Sequence, residues 1–293
     1  MTATPADRPT KPLPPQSASH WDRLPDYAAL LTARHEAHGD TFRRMVADLP
    51  LRPDEAVLDV AIGDGFFADL LPRRVIGGRV VGVDIEPAFL DLADDAYVDR
   101  RRSQLVAADT YNLPFDDGTF DLVWCTHSLR SLPDALGAVR EWSRMLRPGG
   151  RVAVLENDRL HAAVFPWAPD VELAVYHAEC AAELEKSDAG GCGRSPGGLH
   201  AGRRVLGLFA EAGLRPAGHR TYATDVAAPL PDVQREFLAA YFRSLVTRVR
   251  PHLDRDDWHR VSEWVTPDGT HYLPDAPDLQ CTFLDIVAVG DKP

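Results

Sequence analysis

A glycine-containing segment near the start of the chain carries the residues best suited to hold a ligand. It reads VLDVAIGDG over residues 57–65, an apolar run of strand length followed by two glycines. Because Gly63 and Gly65 have no Cβ, the backbone there can turn sharply and approach a ligand closely. Asp84 follows nineteen residues after Gly65, at the end of the next apolar run. Its carboxylate can accept hydrogen bonds from ribose hydroxyls. The glycine-containing segment and Asp84 together therefore predict a site for a nucleoside-containing ligand.

This pattern alone leaves the ligand open. Gly63-x-Gly65-x-x-Ala68 with Asp84 also suits a dinucleotide, and a tight strand-to-helix turn without any ligand is a third interpretation. A short-chain reductase would also need a Tyr-x-x-x-Lys pair. None of the three lysines, at positions 11, 186 and 292, stands four residues after a tyrosine. That version of the dinucleotide interpretation is therefore excluded.

Short apolar runs alternate with helical patterns through the first half of the chain. Runs of strand length, apolar almost throughout, occupy residues 56–60, 80–83, 105–108, 120–124 and 152–155. Strands of this kind are buried on both faces, as in a parallel sheet. Helical patterns lie between them, at residues 66–71, 87–97 and 134–146. The alternation predicts an α/β fold with a doubly wound, mainly parallel sheet.

The remaining segments add to this core. They predict helices within residues 27–46, with a break at Gly39, and further helices and strands at 171–184, 201–212, 222–226, 237–249 and 281–289. Insertions at about residues 160–203 and 227–280 are expected to form helical caps on the sheet. Five prolines among the first fifteen residues predict a flexible tail over residues 1–20. We expect a single domain over residues 21–293, with its ligand-binding core in 51–157.

Charge and composition limit the classes of partner that the protein is expected to bind. The chain has 32 basic and 44 acidic residues, a net charge of −12, which disfavours binding to a nucleic acid. It has neither the roughly 20 consecutive apolar residues of a membrane span nor a signal-peptide core, so we expect a cytoplasmic protein without membrane contact. The four cysteines form no Cys-x-x-Cys pair, and we expect no metal site and no disulfide framework. Oligomeric state stays open, and a homodimer is compatible with the sequence.

Two further segments carry a specific resemblance. They read AADTYNLPFDDGTFDLVWCTHSL over residues 107–129 and MLRPGGR over residues 145–151. Together with the glycine-containing segment, they resemble the class I S-adenosylmethionine (SAM) dependent methyltransferases, in the type 11 group that includes quinone-biosynthesis C-methyltransferases. The resemblance covers residues 55–157. It implies a Rossmann-like fold with a seven-stranded sheet and SAM as the cofactor.

The resemblance also implies roles for individual residues. A loop with Asp59, Ala61, Gly63 and Gly65 would surround the methionine part of SAM, and Asp84 would hold the ribose. Asp109 would take the adenine amino group, with Ile85 and Thr110 flanking the ring. Cys125 and His127 would line the end of the cleft that faces the methyl group. In many members a helix before the first strand closes over the cofactor, which makes Tyr27 a candidate for the methionine carboxylate; a simple core role for Tyr27 is the alternative.

The sequence departs from the family pattern at two places. Ala61 stands where the fullest form of the loop has glycine, and we expect the change to be tolerated because alanine adds one methyl group. A related His-x-x-His-Leu pattern keeps only its first histidine, His127, so a role that needs both histidines is in doubt.

Methyl transfer depends mainly on alignment of the acceptor with the methyl group, and a base is needed only for a poorly acidic acceptor. Candidate bases are His127, Glu156, Asp158 and His161, which follow the fourth and fifth strands. His127 could instead only shape the pocket, and His161 could be a surface residue.

The resemblance implies methyl transfer from SAM to a small organic acceptor, such as a secondary metabolite or a quinone-like molecule. Two alternatives remain: a SAM-binding enzyme with a non-methyl outcome, such as cyclisation or decarboxylation, and a non-catalytic regulatory protein.

Overall fold

The computed structural model describes residues 24–96, 102–188 and 198–293. The proline-rich segment at residues 1–20, for which we predict a flexible tail, lies outside these ranges. Within them the chain forms one eight-stranded sheet with helices on both faces. No helix of the described segments is both long and apolar enough to cross a membrane.

The sheet confirms the expected doubly wound, mainly parallel fold. Its strands are β1 (Ala56–Val60), β2 (Arg79–Asp84), β3 (Ser103–Ala107), β4 (Phe120–Thr126), β5 (Leu146–Glu156), β6 (Ala163–Val164), β7 (Arg215–Ala227) and β8 (Gln280–Asp291). The order is β3-β2-β1-β4-β5-β8, with β1 to β5 parallel and β8 antiparallel to β5. β7 pairs with β8 along its whole length, and the two-residue β6 pairs with the start of β8. The eighth strand, relative to the seven expected, is this short β6.

Nine α-helices are present in the described ranges. They are α1 (Leu24–Ala37), α2 (Gly39–Asp48), α3 (Phe66–Leu70), α4 (Pro87–Ala96), α5 (Ala135–Met145), α6 (Pro169–Asp188), α7 (Ala201–Glu211), α8 (Asp232–Val249) and α9 (Arg255–Val265). α2 and α3 pack on one face of the sheet through Phe42 and Phe67, and α5 and α7 pack on the other through Trp142 and Phe209. Both faces of the central strands are thereby covered, as their continuous apolar sequences require.

The helices α6, α8 and α9 form a third hydrophobic core, which we call the cap. Val171, Phe237, Phe242 and Val261 are buried in it, and Leu30 of α1 packs against it. The cap also covers the first residues of β8, which lie beyond the end of β5 because Glu156 of β5 pairs with Ile286 of β8. The additions to the sheet therefore lie past the carboxyl ends of the parallel strands.

A buried ion pair between Glu55 and Arg151 stabilises the sheet near the amino ends of the parallel strands. The Arg151 Nη2 and Glu55 Oε2 atoms are 2.6 Å apart, and Nη1 donates to Oε1 at 3.1 Å. The side chains are 2% and 8% exposed for Glu55 and Arg151. Arg151 also donates to the carbonyl oxygen of Pro50. This pair connects the start of β1 to β5 and to the segment after α2.

Candidate active site

The loop between β1 and α3 has the backbone geometry that its glycines permit. Gly63 and Gly65 have φ values of +58° and +86°. A Cβ on Gly65 would lie only 2.7 Å from the Cβ of Ala93 in α4, so the position has no space for a side chain. The loop therefore depends on glycine for its turn and for its close approach to α4.

Asp84 is held at the end of β2, directly beside this loop. The Gly63 amide donates to Oδ2 at 3.1 Å, and the Glu86 amide donates to Oδ1 at 3.0 Å. Asp84 is 7% exposed; burial raises the pKa of its carboxyl, and the amides of Glu86 and Gly63 oppose that rise. Each oxygen uses one acceptor site for the backbone, and each retains further lone-pair capacity for a ligand.

The ends of the three adjacent strands present partly exposed residues at this same edge. Five residues to which the resemblance gives a role in cofactor binding are partly exposed there: Ala61, Gly63, Ile85, Asp109 and Thr110. Asp109 Oδ1 accepts from the Tyr111 amide at 3.0 Å, and Thr110 Oγ1 accepts from Trp142 Nε1 at 2.8 Å. These bonds fix the turn after β3 next to Ile85, the residue that follows β2. The structure thus brings together the residues expected around a ribose and an adenine.

Asp59 lies deeper and is 1% exposed. Neither carboxylate oxygen has a hydrogen-bond partner within the described ranges. Burial above all, and then the charges of Asp84 and Asp64, hold the pKa of Asp59 well above its ordinary value. A buried carboxyl without a partner is costly unless a ligand completes it. A cationic donor, such as the ammonium group of SAM, would satisfy it, so the residues present fit the cofactor that the resemblance implies.

Helix α1 lies across the glycine loop. His35 Nδ1 is 2.8 Å from Asp64 Oδ2, and a Cβ on Gly63 would lie 3.1 Å from the Leu31 side chain. Tyr27, in the first turn of α1, is 47% exposed, and its ring makes an edge contact with Phe89 of α4 at 6.1 Å. A helix before β1 therefore covers the loop, while the contact of Tyr27 with a carboxylate stays a prediction.

Comparisons with known proteins agree with this geometry. A family model described as "Methyltransferase domain" matches residues 58–154. A demethylmenaquinone methyltransferase of Staphylococcus aureus (strain JH9) is 34% identical over 131 residues, which cover 44% of this chain and 54% of that protein. The chain therefore contains a methyltransferase domain. It spans about half the length of the curated relatives it matches.

Solved structures show the same fold as this methyltransferase domain. A putative methyltransferase (BH2331) from Bacillus halodurans aligns with a TM-score of 0.52 and 19% identity, over 86% of this chain and 98% of that one. The YcgJ protein from Bacillus subtilis aligns with a TM-score of 0.52 and 17% identity, over 87% and 99% of the two chains. At these identities the likeness supports the fold alone.

Ala61, in the glycine loop, has an uncommon backbone conformation. The sequence predicts that alanine is tolerated there because it adds a single methyl group. The residue is partly exposed, so the methyl group finds space, but its φ is +56°, in the left-handed region that non-glycine residues rarely adopt. The cost of alanine therefore lies in the backbone conformation and not in packing.

The Ala61→Gly variant is expected to be more stable than the natural chain by about 1 kcal/mol, because glycine adopts φ +56° without strain. Thermal unfolding measures the change. Ala210→Gly, at an exposed helical position of α7, is the matched control and is expected to lose stability. Destabilisation by both substitutions would contradict this account of Ala61.

His127 follows β4 of the methyltransferase sheet and is the centre of a buried polar cluster. Its Nδ1 is 3.7 Å from Glu156 Oε1, and its Nε2 is 3.6 Å from Asp285 Oδ1. Asp285 also pairs with Arg34 of α1 at 2.6 Å. His127 is 5% exposed with φ +48°, and burial, followed by the charge of Arg34, lowers its pKa. The ring is therefore neutral near pH 7, with both nitrogens lacking a hydrogen-bond partner among the described residues.

The other candidate bases are distributed differently. Glu156 is fully buried in the His127 cluster, whereas Asp158 accepts hydrogen bonds from the Arg203 amide at 3.1 Å and pairs with the Arg203 side chain. His161 is exposed on a 3-10 turn and stacks on the ring of His200 at 6.0 Å. The structure thus brings His127 and Glu156 together and leaves His161 at the surface; the catalytic role of either histidine stays a prediction.

Cys125 is fully buried in the core on the α5 side of the sheet, among residues that include Leu58 and Val123. Burial, above all other causes, raises the pKa of its thiol well above the ordinary value. Its expected place at the methyl-facing end of the cleft stays a prediction.

The sequence motifs do not predict Arg34, His38 and Asp285 as members of the site. Arg34 lies on α1 and His38 at the junction of α1 and α2, whereas Asp285 lies on β8, 251 positions after Arg34 in the chain. One sign was available for Asp285, since it is a single acidic residue within the apolar run of β8.

His38 is expected to make the stability of the protein sensitive to acid. It is 1% exposed, and burial above all, followed by the charge of Arg34, lowers its pKa to about 3. The unfolded chain binds a proton near pH 6.5, but the folded chain does not until about pH 3. Above pH 6.5, His38 therefore does not lower the free energy of unfolding. As the pH falls from 6.5 towards 3 the free energy of unfolding decreases progressively, by about 2 kcal/mol at pH 5.

The measurement is the free energy of unfolding of the natural chain and of His38→Phe at pH 7 and pH 5. The natural chain is expected to lose about 2 kcal/mol more than His38→Phe between these pH values. His219→Phe, at an exposed position of β7, serves as the control. Equal pH dependence of all three proteins would show that His38 is not held neutral.

Proposed function

We propose that the protein transfers a methyl group from SAM to a small organic acceptor, in the chemical range of secondary metabolites and quinone-like molecules. The observation that carries the proposal is the pairing of the Gly63 loop with the Asp84 carboxylate at adjacent strand ends. This pairing lies inside the segment that matches the methyltransferase domain family. The relative named a demethylmenaquinone methyltransferase supports a quinone-like acceptor.

Bound SAM would supply an electrophilic methyl group on a sulfonium. The residues of the chain would then bind SAM and the acceptor and align them with each other. Asp84 would hold the ribose, Asp109 would take the adenine amino group, and Asp59 would face the positive charge. Alignment of two reactants can lower a barrier by about 7–11 kcal/mol in favourable cases, more than a general base contributes. Precise placement at this strand edge is therefore sufficient to account for most of the catalysis.

The cap supports a small acceptor. It packs on the part of β8 that extends beyond the carboxyl ends of the parallel strands, next to the region where ligands bind in such sheets. His127 lies in this region and is held neutral, so it could accept a proton from an acceptor hydroxyl or acidic carbon. His161, which is exposed, is the second candidate for that role.

Calorimetric titration of the purified full chain with SAM and with S-adenosylhomocysteine tests the proposal. We expect both to bind with dissociation constants on the order of 10 µM or lower, and NAD to show no binding under the same conditions. Absence of binding by both sulfur ligands would overturn the assignment. Incubation with SAM and cellular extracts, followed by mass spectrometry, should then reveal a product that is heavier by one methylene group. Binding without such a product would favour a non-methyl reaction or a regulatory role.

A further inference from the structure

Four arginines converge where the cap meets the carboxyl ends of the strands. They come from α1, from the turns after β4 and β5, and from α8: Arg34, Arg130, Arg159 and Arg248, here called the arginine cluster. Their side chains are 15%, 21%, 20% and 24% exposed, respectively. The charges of Arg130 and Arg248 act on Arg159. The hydroxyl of Tyr241 in α8 is influenced by Arg34, Arg159 and Arg248. Long basic side chains are ordinarily in water, so this convergence at partial burial calls for anionic partners.

Three members of the arginine cluster have close protein partners. Arg34 pairs with Asp285 at 2.6 Å, and Arg248 donates to Glu179 Oε1 at 2.9 and 3.1 Å. Arg130 donates to Asn157 Oδ1 at 2.6 Å and lies 3.4 Å from Glu156 Oε1. The hydrogen-bonding needs of these three guanidiniums are therefore partly or wholly met within the chain.

Arg159 differs from the other three. It makes no hydrogen bond to any residue in the described ranges, and the nearest carboxylate oxygen, Glu179 Oε2, is 3.7 Å away. Glu179 is already bound to Arg248 through its other oxygen. Glu183, one turn further along α6, adds a weaker attraction. The planar fork of Arg159 thus retains its donors for a ligand.

The electrostatic surroundings of Arg159 agree with this geometry. Burial first, and then the positive charges of Arg130 and Arg248, lower the pKa of Arg159 from its ordinary value. The protein carboxylates nearby therefore do not fully offset the positive charge. A partly buried guanidinium with unused donors is the group that recognises carboxylates and phosphates by paired hydrogen bonds.

An aromatic wall adjoins the arginine cluster. Tyr241 contacts Phe165 with ring centroids 5.6 Å apart, and Phe165 contacts Trp167 at 5.0 Å. Tyr241 and Trp167 are partly exposed, so their rings are accessible to a ligand. The region between the cap and the strand ends therefore combines an apolar surface with a cationic end.

We propose that the acceptor is a small molecule with an apolar or aromatic body and one anionic group, a carboxylate or a phosphate, and that Arg159 binds this group. The proposal rests on the proposed function, since it specifies the second substrate of the same site. In this role Arg159 positions the acceptor and takes no part in moving the methyl group.

The test uses the full chain saturated with S-adenosylhomocysteine and titrated with benzoate, phenyl phosphate and the neutral analogue benzamide. We expect at least one of the two anions to bind, and benzamide to bind at least about tenfold more weakly than that anion. In Arg159→Gln the affinity for the anion should fall by at least about tenfold, and Arg159→Lys, which keeps the charge without the planar fork, should lie between. Arg243→Gln, at an exposed position of α8, is the control and should match the natural chain.

The outcomes distinguish a carboxylate from a phosphate as the anionic group. They also distinguish failure of the inference about Arg159 from failure of the proposed function. Tighter binding of phenyl phosphate indicates a phosphate acceptor, and tighter binding of benzoate indicates a carboxylate. The inference is overturned if neither anion binds, if benzamide binds as well as the anions, or if Arg159→Gln binds them as the natural chain does. Unchanged affinity for S-adenosylhomocysteine in Arg159→Gln shows that the variant is folded. Failure of the natural chain to bind S-adenosylhomocysteine would instead contradict the proposed function.

Discussion

Replacing Glu55 by alanine is expected to lower the free energy of unfolding by about 3 kcal/mol, the largest stability change among the substitutions considered. Glu55 is 2% exposed and holds Arg151, which is itself 8% exposed, through two hydrogen bonds of 2.6 and 3.1 Å. Removal of the carboxylate leaves a buried guanidinium whose one remaining partner among the described residues is the carbonyl oxygen of Pro50. A buried charge without its partner is far more costly than the loss of an exposed pair.

Urea unfolding of the natural chain and of Glu55→Ala measures this change. The control is Asp40→Ala, which breaks the exposed pair of Asp40 with Arg43 and should leave the unfolding free energy unchanged within measurement. The double variant Glu55→Leu with Arg151→Met removes both charges and should recover much of the loss. If the double variant is as unstable as Glu55→Ala, the cost does not come from the unpaired charge.

The second large effect is expected at Asp84. Asp84→Ala should weaken binding of S-adenosylhomocysteine by about 100-fold, because two charge-assisted hydrogen bonds to the ribose, each about 1.5 kcal/mol, would be lost. The amides of Gly63 and Glu86 would also lose the carboxylate that holds the glycine loop in place. Both effects act on affinity in the same direction.

Calorimetry on three variants separates these contributions. Asp84→Asn keeps the shape and one acceptor oxygen, so its loss of affinity should be intermediate. Asp91→Ala, at an exposed position of α4, should bind the ligand as the natural chain does. Affinity of Asp84→Ala within threefold of the natural chain would show that this carboxylate does not hold the ribose, and the assignment of the whole cofactor site would then fail.

The parallel half of the sheet was predictable because its strands are short apolar runs between helical patterns, and this sequence signature survives without tertiary information. α9 was not predicted. It has only four apolar residues, Trp258, Val261, Trp264 and Val265, and its other residues are polar. Its start was nonetheless marked by Asp254, whose carboxylate accepts from the Asp256 and Asp257 amides as an N-cap.

The cofactor side of the candidate site was predictable from local motifs, since Gly63, Gly65 and Asp84 lie at the ends of neighbouring strands. The cluster around His127 was not, because its partners are brought together only by the fold. Arg34 and Asp285, for example, are 251 positions apart in the chain. The positive φ of Ala61 was also not predictable, since the residue type does not reveal the backbone conformation that its neighbours impose.

Helix α1 touches both halves of the candidate site. His35 contacts the glycine loop through Asp64, whereas Leu30 packs into the cap. Under the proposed function, a displacement of this helix that accompanies binding of the cofactor would alter the affinity for the acceptor, and by thermodynamic reciprocity the influence is equal in both directions. Steady-state kinetics should accordingly report whether cofactor and acceptor bind in a fixed order or at random.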